Sequence, residues 1–132
     1  MNRKIVVTAA ILGLIAIILG AFGAHALKEK LEVAQLATFE TGVRYQMYHA
    51  LFLLFIGLGN SISERAQNRI FYMTIIGVLL FSGSIYVLST QTLSGINFRP
   101  IGFITPIGGL LLIRAWGLLI VDLLRNKVIK SA

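Results

Sequence analysis

The sequence IVVTAAILGLIAIILGAFGA, residues 5–24, contains no charged side chain and a single hydroxyl group. An α-helix needs about 20 mostly apolar residues to cross the hydrocarbon core of a bilayer. Because lipid offers no hydrogen-bond partners, the backbone of such a segment must pair within itself, as it does in a helix. This run therefore predicts a transmembrane helix near the beginning of the chain.

Three further apolar runs predict three more membrane-spanning helices. The chain is therefore predicted to be all-α, a compact four-helix transmembrane bundle that forms a single integral membrane domain over residues 1–132. Thr105 followed by Pro106 is typical of a helix N-cap and first turn, and marks the beginning of the last span. The predicted spans cover approximately residues 5–26, 43–63, 70–89 and 105–124.

The composition excludes several classes of protein. Of the 132 residues, 57% are hydrophobic and 13% are charged, whereas soluble domains carry about 25% charged residues. The chain has no cysteine, which excludes disulfides and thiolate metal sites. Its net charge of +7 would suggest nucleic acid for a soluble protein, but here the basic residues flank apolar runs and indicate contacts with lipid headgroups. The predicted partner is the lipid bilayer, with no nucleic acid.

The distribution of basic residues predicts the orientation. An even number of spans places both termini on one side of the membrane, and the side richer in lysine and arginine is usually cytoplasmic. The side with the termini has seven basic residues, and the other side has four that three glutamates partly offset. A multi-pass protein of the plasma membrane with both termini in the cytoplasm is predicted. The seven are Arg3, Lys4, Arg65, Arg69, Arg125, Lys127 and Lys130.

The first run could also be interpreted as a cleaved secretory signal. Arg3 and Lys4 provide a basic beginning, and Ala24, His25 and Ala26 have the A-x-A form of a cleavage site. However, the run of about twenty residues is longer than the apolar region of a signal peptide, which has about 7–15 residues. We expect it to stay as an anchored helix with His25 at its outer end.

Small residues and an amphipathic segment complete the predicted architecture. Helices in lipid associate where small residues let their backbones approach, so glycine stripes predict a closely packed bundle. Between the first two spans, Lys28–Gly42 has apolar residues at helical spacing and is predicted to lie at the outer interface and run into the second helix. The bundle could form a homo-oligomer or join another membrane protein. The predicted packing glycines are Gly13, Gly20, Gly23, Gly83, Gly108 and Gly109.

Polar side chains near the beginning of the second span form the candidate functional site. Their spacing places most of them on one face of a helix, and His49 is expected at a depth similar to that of His25. Two interpretations are open: a site for a proton, a metal ion or an anionic headgroup, and an interhelical seam in which His49 bonds a neighbouring helix. Two histidines without a third ligand are a weak metal signal, so no metal is predicted. The candidate residues are His25, Glu40, Arg44, Tyr45, Tyr48 and His49.

Arg114 is a charge within the last span. It lies eight residues beyond Pro106, roughly 12 Å along the helix at 1.5 Å per residue, and hence close to mid-membrane. A charge at that depth is costly unless it pairs or extends towards water. Ser82 and Ser84 on the third span are expected at a comparable depth. Arg114 could contact an anion or a lipid headgroup, could lock an oligomer, or could extend towards the inner surface along Trp116.

No catalytic signature is found in the sequence. It lacks a P-loop, a nucleophile elbow, a zinc-protease motif and a dinucleotide-binding turn, so no catalytic residue and no cofactor is predicted. The first hypothesis is a non-enzymatic membrane protein with an accessory or assembly role. The alternatives are a small transporter or channel subunit with a polar site at its outer mouth, and a lipid-binding factor or membrane enzyme at the outer leaflet.

Four motifs also carry a family resemblance: GAFGAHAL (20–27), YQMYHALFLL (45–54), FSGSIYVL (81–88) and TPIGGLLLIRAWGLL (105–119). In this order they resemble the YgdD/YwdK-type family of small membrane proteins, which includes the eukaryotic transmembrane protein 256. The resemblance implies a four-helix integral membrane protein with a retained first helix and no established molecular function. Arg114 departs from the family pattern, which has a small residue there. The matching positions are Gly20, Gly23, His25, Tyr45, His49, Ser82, Gly83, Tyr86, Thr105, Pro106, Gly108, Gly109 and Trp116.

Overall fold

The computed structural model describes the backbone of residues 1–131 and the side chains of residues 1–126. Over that part of the chain the structure is helices and turns without a strand, which confirms the all-α prediction. The helices are α1 (Arg3–Phe22), α2 (Val33–Leu58), α3 (Glu64–Val78), α4 (Ser84–Ser89), α5 (Gln91–Ser94) and α6 (Ile104–Ser131).

Two π-helical turns extend these helices into four long ones. Gly23–Leu27 continues α1, and Leu79–Gly83 joins α3 to α4 without a break. A short 3₁₀ turn at Arg99–Ile101 precedes α6. The long helices of the bundle are therefore α1 with its π-turn, α2, α3 joined to α4, and α6, in agreement with the predicted four-helix bundle.

Three of the four long helices combine the length and the apolar composition needed to cross a membrane. The fourth, α2, has 26 residues but carries Arg44, Gln46 and His49 near its middle, and these polar side chains lower its mean hydropathy. The three that qualify are Arg3–Leu27, Glu64–Ser89 and Arg99–Asn126.

The long helices form two antiparallel pairs. α1 lies along α2, since the amide of Asn2 donates to the carbonyl of Gly57 at 2.7 Å at one end and Gly23 lies against Phe39 at the other. The α3–α4 helix lies along α6, and α2 packs against the α3–α4 helix as well as against α1. Because α1 and α2 meet at both ends, α2 covers the same distance along the bundle axis as α1.

The main core includes residues from all four long helices. Its members are 0–7% exposed, and they lie towards the end of the bundle where the chain begins. Packing of this kind stabilises helices in lipid mainly through dispersion, because lipid tails are as apolar as the side chains. Its members include Ile5, Leu53, Ile56, Ile70, Ala115 and Leu119, and a smaller cluster at the other end consists of Leu27, Leu31 and Phe39.

α3 and α6 cross at two glycines. A Cβ on Gly77 would lie 3.2 Å from the carbonyl oxygen of Gly108, and a Cβ on Gly108 would lie 2.8 Å from the carbonyl oxygen of Gly77. Gly42 and Gly57 on α2 are restricted by side chains instead, since a Cβ on either would lie within 2.8 Å of a side chain on a neighbouring helix. The backbones of α3 and α6 therefore approach closely at Gly77 and Gly108, whereas Gly42 and Gly57 make room for the side chains of neighbouring helices.

The six predicted packing glycines differ in the space around them. Gly108 and Gly23 are tight, with Phe39 at 3.1 Å from a Cβ on Gly23. Gly13, Gly20 and Gly109 have their nearest neighbours at 3.5–3.7 Å, an ordinary contact distance at which alanine also fits. At Gly83 a Cβ would meet no atom within 4 Å. The prediction of close packing at Gly83 is thus corrected, because no neighbour covers that side of the chain.

Several predicted boundaries also shift. The segment Lys28–Gly42 consists of a turn and the first ten residues of α2, which begins at Val33 with a capping box at Glu32. α2 ends at Leu58, where Gly59 takes an extended conformation. α6 begins at Ile104, so Thr105 lies inside the helix instead of capping it.

Candidate functional site

Of the six predicted polar-site residues, the structure buries one. His49 is 4% exposed, whereas His25, Glu40, Arg44, Tyr45 and Tyr48 lie on the surface of the bundle. His49 belongs to the inner face of α2, together with residues spaced three or four apart along the helix. This inner face includes Phe39, Gly42, Gln46, His49, Leu53 and Ile56.

Both ring nitrogens of His49 have hydrogen-bond partners. The indole Nε1 of Trp116 donates to Nε2 at 3.2 Å, and Nδ1 lies 2.7 Å from the carbonyl oxygen of Tyr45. An indole N–H only donates, so Nε2 is the acceptor, and the proton on Nδ1 is donated to Tyr45. The pattern assigns the neutral Nδ1–H tautomer. The Phe52 ring stacks on Trp116 with centroids 4.1 Å apart and limits the space around the pair.

Gln46 is a buried polar residue that was not predicted as part of the site. Its amide Nε2 donates to the carbonyl oxygen of Leu12 on α1 at 2.9 Å. Its Oε1 accepts from the hydroxyl of Tyr86 on α4 at 2.7 Å. Gln46 therefore links three helices. The sequence did contain a sign of its role: Gln46 lies three positions before His49, a spacing that places both side chains on one helix face.

Serine hydroxyls connect the remaining helices. Ser82 donates to the carbonyl oxygen of Gly42 at 2.7 Å, which ties the π-turn between α3 and α4 to α2. Ser84 and Thr105 share a hydrogen bond of 2.6 Å, which ties α4 to α6. We call the set of Gly42, Gln46, His49, Ser82, Tyr86 and Trp116 the polar seam.

His25 does not join the polar seam. Gly13 of α1 lies against Ala50 of α2, the residue that follows His49. His25 is 12 positions further along α1, which corresponds to roughly 18 Å at 1.5 Å per residue. The expectation that the two histidines share a depth is therefore corrected: His25 lies at the exposed end of the bundle and His49 lies towards its middle.

Glu40 and Arg44 lie four positions apart on α2 but do not bond each other. Arg44 donates from Nη2 to the hydroxyl of Thr41 at 3.5 Å, and both Glu40 and Arg44 are exposed. Tyr45 and Tyr48 contact each other, with ring centroids 5.5 Å apart. The Tyr45 ring also packs against Phe81, with centroids 5.1 Å apart, whereas Glu40, Arg44 and Tyr48 lie on the exposed side of α2.

Two further polar features bear on the chemistry of the bundle. Thr74 on α3 is fully buried, and the described residues offer its hydroxyl no hydrogen-bond partner. Within the described part of the chain, no three His, Cys, Asp or Glu side chains lie close enough together to hold a metal ion.

Arg114 points away from the bundle. It is exposed, and neither a hydrogen bond nor an ion pair joins its side chain to another described residue. Ser84 bonds Thr105, which lies nine positions before Arg114 and hence roughly 13 Å away along α6. The expectation that Ser84 lies at the depth of Arg114 is therefore wrong. Gly117, one turn further along, has no atom within 4 Å of a Cβ position.

The arrangement defines an all-α integral membrane protein in which buried polar side chains hold the helices together. Comparison with known proteins agrees with this class. Residues 19–109 match the family described as a protein of unknown function, DUF423. The chain belongs to this family, which confirms the predicted resemblance to YgdD-type membrane proteins.

Individual relatives cover nearly the whole chain. A UPF0382 membrane protein of Staphylococcus saprophyticus is 38% identical over 90% of this chain and 95% of its own length. The UPF0382 inner membrane protein YgdD of Escherichia coli is 34% identical over 96% of this chain and 93% of its own length. No solved structure matches. The molecular function of the family is not established, as the resemblance implied.

Proposed function

We propose that this protein is a non-catalytic accessory protein of the plasma membrane, which joins another membrane protein through the outer face of α6. The observation that carries the proposal is Arg114, a charged side chain near the middle of an apolar helix that is exposed to lipid. A guanidinium in hydrocarbon is costly when it has no partner. An acceptor supplied by a neighbouring protein would remove most of that cost.

The proposed topology has four spans with both termini in the cytoplasm. α2 is included as a span because it runs the full length of α1, from Gly57 beside Asn2 to Phe39 beside Gly23. The excess of basic residues at the end that holds the N-terminus supports the orientation.

The polar seam supports a structural interior. His49, Gln46 and Ser82 each have a hydrogen-bond partner on a neighbouring helix, and the second ring nitrogen of His49 bonds the backbone of its own helix. A transport pathway needs polar groups that face a path and exchange partners with a substrate, whereas these groups are committed to helix contacts. We infer that the seam fixes the arrangement of the helices.

The outer face of α6 supports the docking of another helix. Arg114 and Gly117 lie three positions apart and so share a face. The open space beside Gly117 allows a second helix to approach closely, as small residues do in membrane proteins. The same face presents the exposed apolar side chains of Leu110 and Ile113.

Charge complementarity indicates a different protein and not a second copy. Glu29 and Glu32 lie in the segment before α2, and Glu64 begins α3. Asp122 lies on α6 itself, eight positions and roughly 12 Å from Arg114, and its carboxylate accepts hydrogen bonds from Ser63. The acidic residue on α2 nearest to mid-span is Glu40, nine positions from His49 and therefore roughly 13 Å from the level of Trp116. A second copy thus offers no carboxylate opposite Arg114. The proposed partner is a transmembrane helix that carries Asp or Glu near its middle.

Site-specific photocrosslinking in native membranes tests the proposal. A crosslinking amino acid at Ile113 is expected to capture another membrane protein, and the same amino acid at Leu14, which is equally lipid-exposed on α1, serves as the control. Capture should disappear with Arg114→Leu and return with Arg114→Lys. It should also disappear when the mid-span carboxylate of the captured helix is replaced by the corresponding amide.

Two outcomes would contradict the proposal. Capture of a second copy at Ile113 would replace the accessory role with self-assembly. Equal capture with Arg114→Leu, in a variant that keeps its thermal unfolding midpoint, would show that the arginine has no part in docking.

The transport alternative is tested separately. Flux of protons or small anions into liposomes that contain the purified protein is expected to equal the background of empty liposomes. Flux that is lost with His49→Ala, in a variant that still folds, would favour transport instead.

A further inference from the structure

The end of the bundle that holds the N-terminus contains a second feature, independent of Arg114. A cavity of about 190 Å³ lies between the beginning of α3 and residues 118–125 in the second half of α6. Beside Ser63 and Ala66, its lining includes three arginines, one carboxylate and two large apolar side chains. These residues are Arg65, Arg69, Arg125, Asp122, Leu118 and Val121.

The carboxylate in this cavity, that of Asp122, already accepts hydrogen bonds from protein groups. Asp122 accepts hydrogen bonds from the amide of Ser63 at 3.0 Å and from its hydroxyl at 2.7 Å. It also accepts from the side-chain amide of Asn126 at 3.1 Å. Ser63 in turn caps α3 by accepting from the amide of Ala66. Asp122 therefore anchors α6 to the N-terminus of α3, where the helix dipole favours a negative charge.

The three guanidinium groups have no acceptor among the described residues. Arg65 and Arg69 are four positions apart on α3, a spacing at which like charges repel each other. Arg125 approaches them from α6. Three arginines around one shared cavity, with a single carboxylate that is committed elsewhere, leave a positive site that an anion would stabilise.

We propose that this cavity binds the phosphate of an anionic phospholipid. Arginine forms paired hydrogen bonds with phosphate oxygens, and basic pockets between helices on the cytoplasmic side of membrane proteins hold anionic headgroups. The cavity lies where the apolar stretch of α6 ends, at the depth of the headgroups. Leu118 and Val121 form its membrane-facing side, which suits the glycerol and the first acyl carbons of a lipid and not a free phosphate ion.

Native mass spectrometry of the full chain in detergent tests the proposal. Phosphatidylglycerol is expected to bind about tenfold more tightly than phosphatidylcholine, a difference of about 1.4 kcal/mol. The triple variant Arg65→Gln, Arg69→Gln, Arg125→Gln should lose this preference. The matched control Arg99→Gln, which removes one charge at the opposite end of the bundle, should keep it.

Single variants cover the case in which the triple variant does not fold. Arg69→Gln alone is expected to weaken binding of phosphatidylglycerol about tenfold, as the loss of one charge-assisted hydrogen bond to phosphate predicts. Equal affinity of the wild type for both lipids would overturn the proposal. Displacement of phosphatidylglycerol by millimolar inorganic phosphate would overturn the assignment to lipid and identify a soluble phosphate as the ligand.

Discussion

The indole of Trp116 on α6 donates a hydrogen bond to Nε2 of His49 on α2 at 3.2 Å. This bond connects the two antiparallel helix pairs at about the middle of the bundle. It also determines the tautomer of His49, because the donor at Nε2 leaves the proton on Nδ1 to be donated to the carbonyl of Tyr45. A histidine held in this way is neutral and positions helices.

Replacing the donor should destabilise the protein. Trp116→Phe keeps an aromatic ring against Phe52 but leaves Nε2 of His49 buried without a partner, at an expected cost of about 1–3 kcal/mol in the free energy of unfolding. Thermal unfolding in detergent, followed by circular dichroism, measures the change. The double variant Trp116→Phe, His49→Leu should lose less than the sum of the two single changes. Additive losses would show that the two residues do not interact.

The amide of Gln46 should be equally sensitive. Gln46→Leu removes the acceptor of the Tyr86 hydroxyl and the side-chain donor to the carbonyl oxygen of Leu12. Because both groups lie in the interior, we expect a loss of about 1–3 kcal/mol in the free energy of unfolding. Adding Tyr86→Phe to Gln46→Leu removes the orphaned hydroxyl and should restore part of the loss. The same unfolding measurement applies. If Tyr86→Phe restores nothing in the Gln46→Leu background, the hydrogen bond between Gln46 and Tyr86 contributes little.

Periodicity predicted which side chains share one face of a helix, but not which neighbouring helix packs against that face. The apolar runs identified the long helices because the length of a span is set by the bilayer. The six polar-site residues were grouped by spacing along α2 and by the assumed depth of His25, whereas the rotation of α2 buries His49 and exposes Glu40 and Arg44. The partner of His49 was not predictable, since Trp116 lies 67 positions away and only the packing of α6 brings it close.

The glycines illustrate the same limit. Gly108 was predicted as a packing residue and is one, but a Cβ on Gly83, which was predicted in the same way, would meet no atom within 4 Å. A small residue permits a close approach without causing one. Gly42, which lies outside the predicted set, is needed because Tyr86 and Ile85 pack against its backbone.

The unpaired hydroxyl of Thr74 should make the native protein less stable than it could be. Valine has nearly the same shape and no polar atom, so Thr74→Val removes a buried group whose hydrogen bond is missing. We expect the free energy of unfolding to rise by about 1 kcal/mol. The control Thr41→Val, at a partly exposed threonine that donates to the carbonyl of Ala37, should change it by less than about 0.5 kcal/mol. A lower stability for Thr74→Val would contradict this prediction and indicate that the hydroxyl forms a hydrogen bond inside the bundle.

The crossing of α3 and α6 should tolerate no side chain at Gly108. Gly108→Ala would press a methyl group against the backbone of Gly77 and Leu80, with both contacts at 2.8 Å, and backbone atoms cannot move aside as a flexible side chain can. We expect a loss of at least about 1–3 kcal/mol, the usual cost of overpacking. Gly83→Ala is the matched control: it adds the same methyl group at the π-turn, where no atom lies within 4 Å. Alanine also favours helix over glycine by up to about 1 kcal/mol, so Gly83→Ala should keep or raise the unfolding midpoint. Equal midpoints for the two variants would contradict the close crossing of α3 and α6.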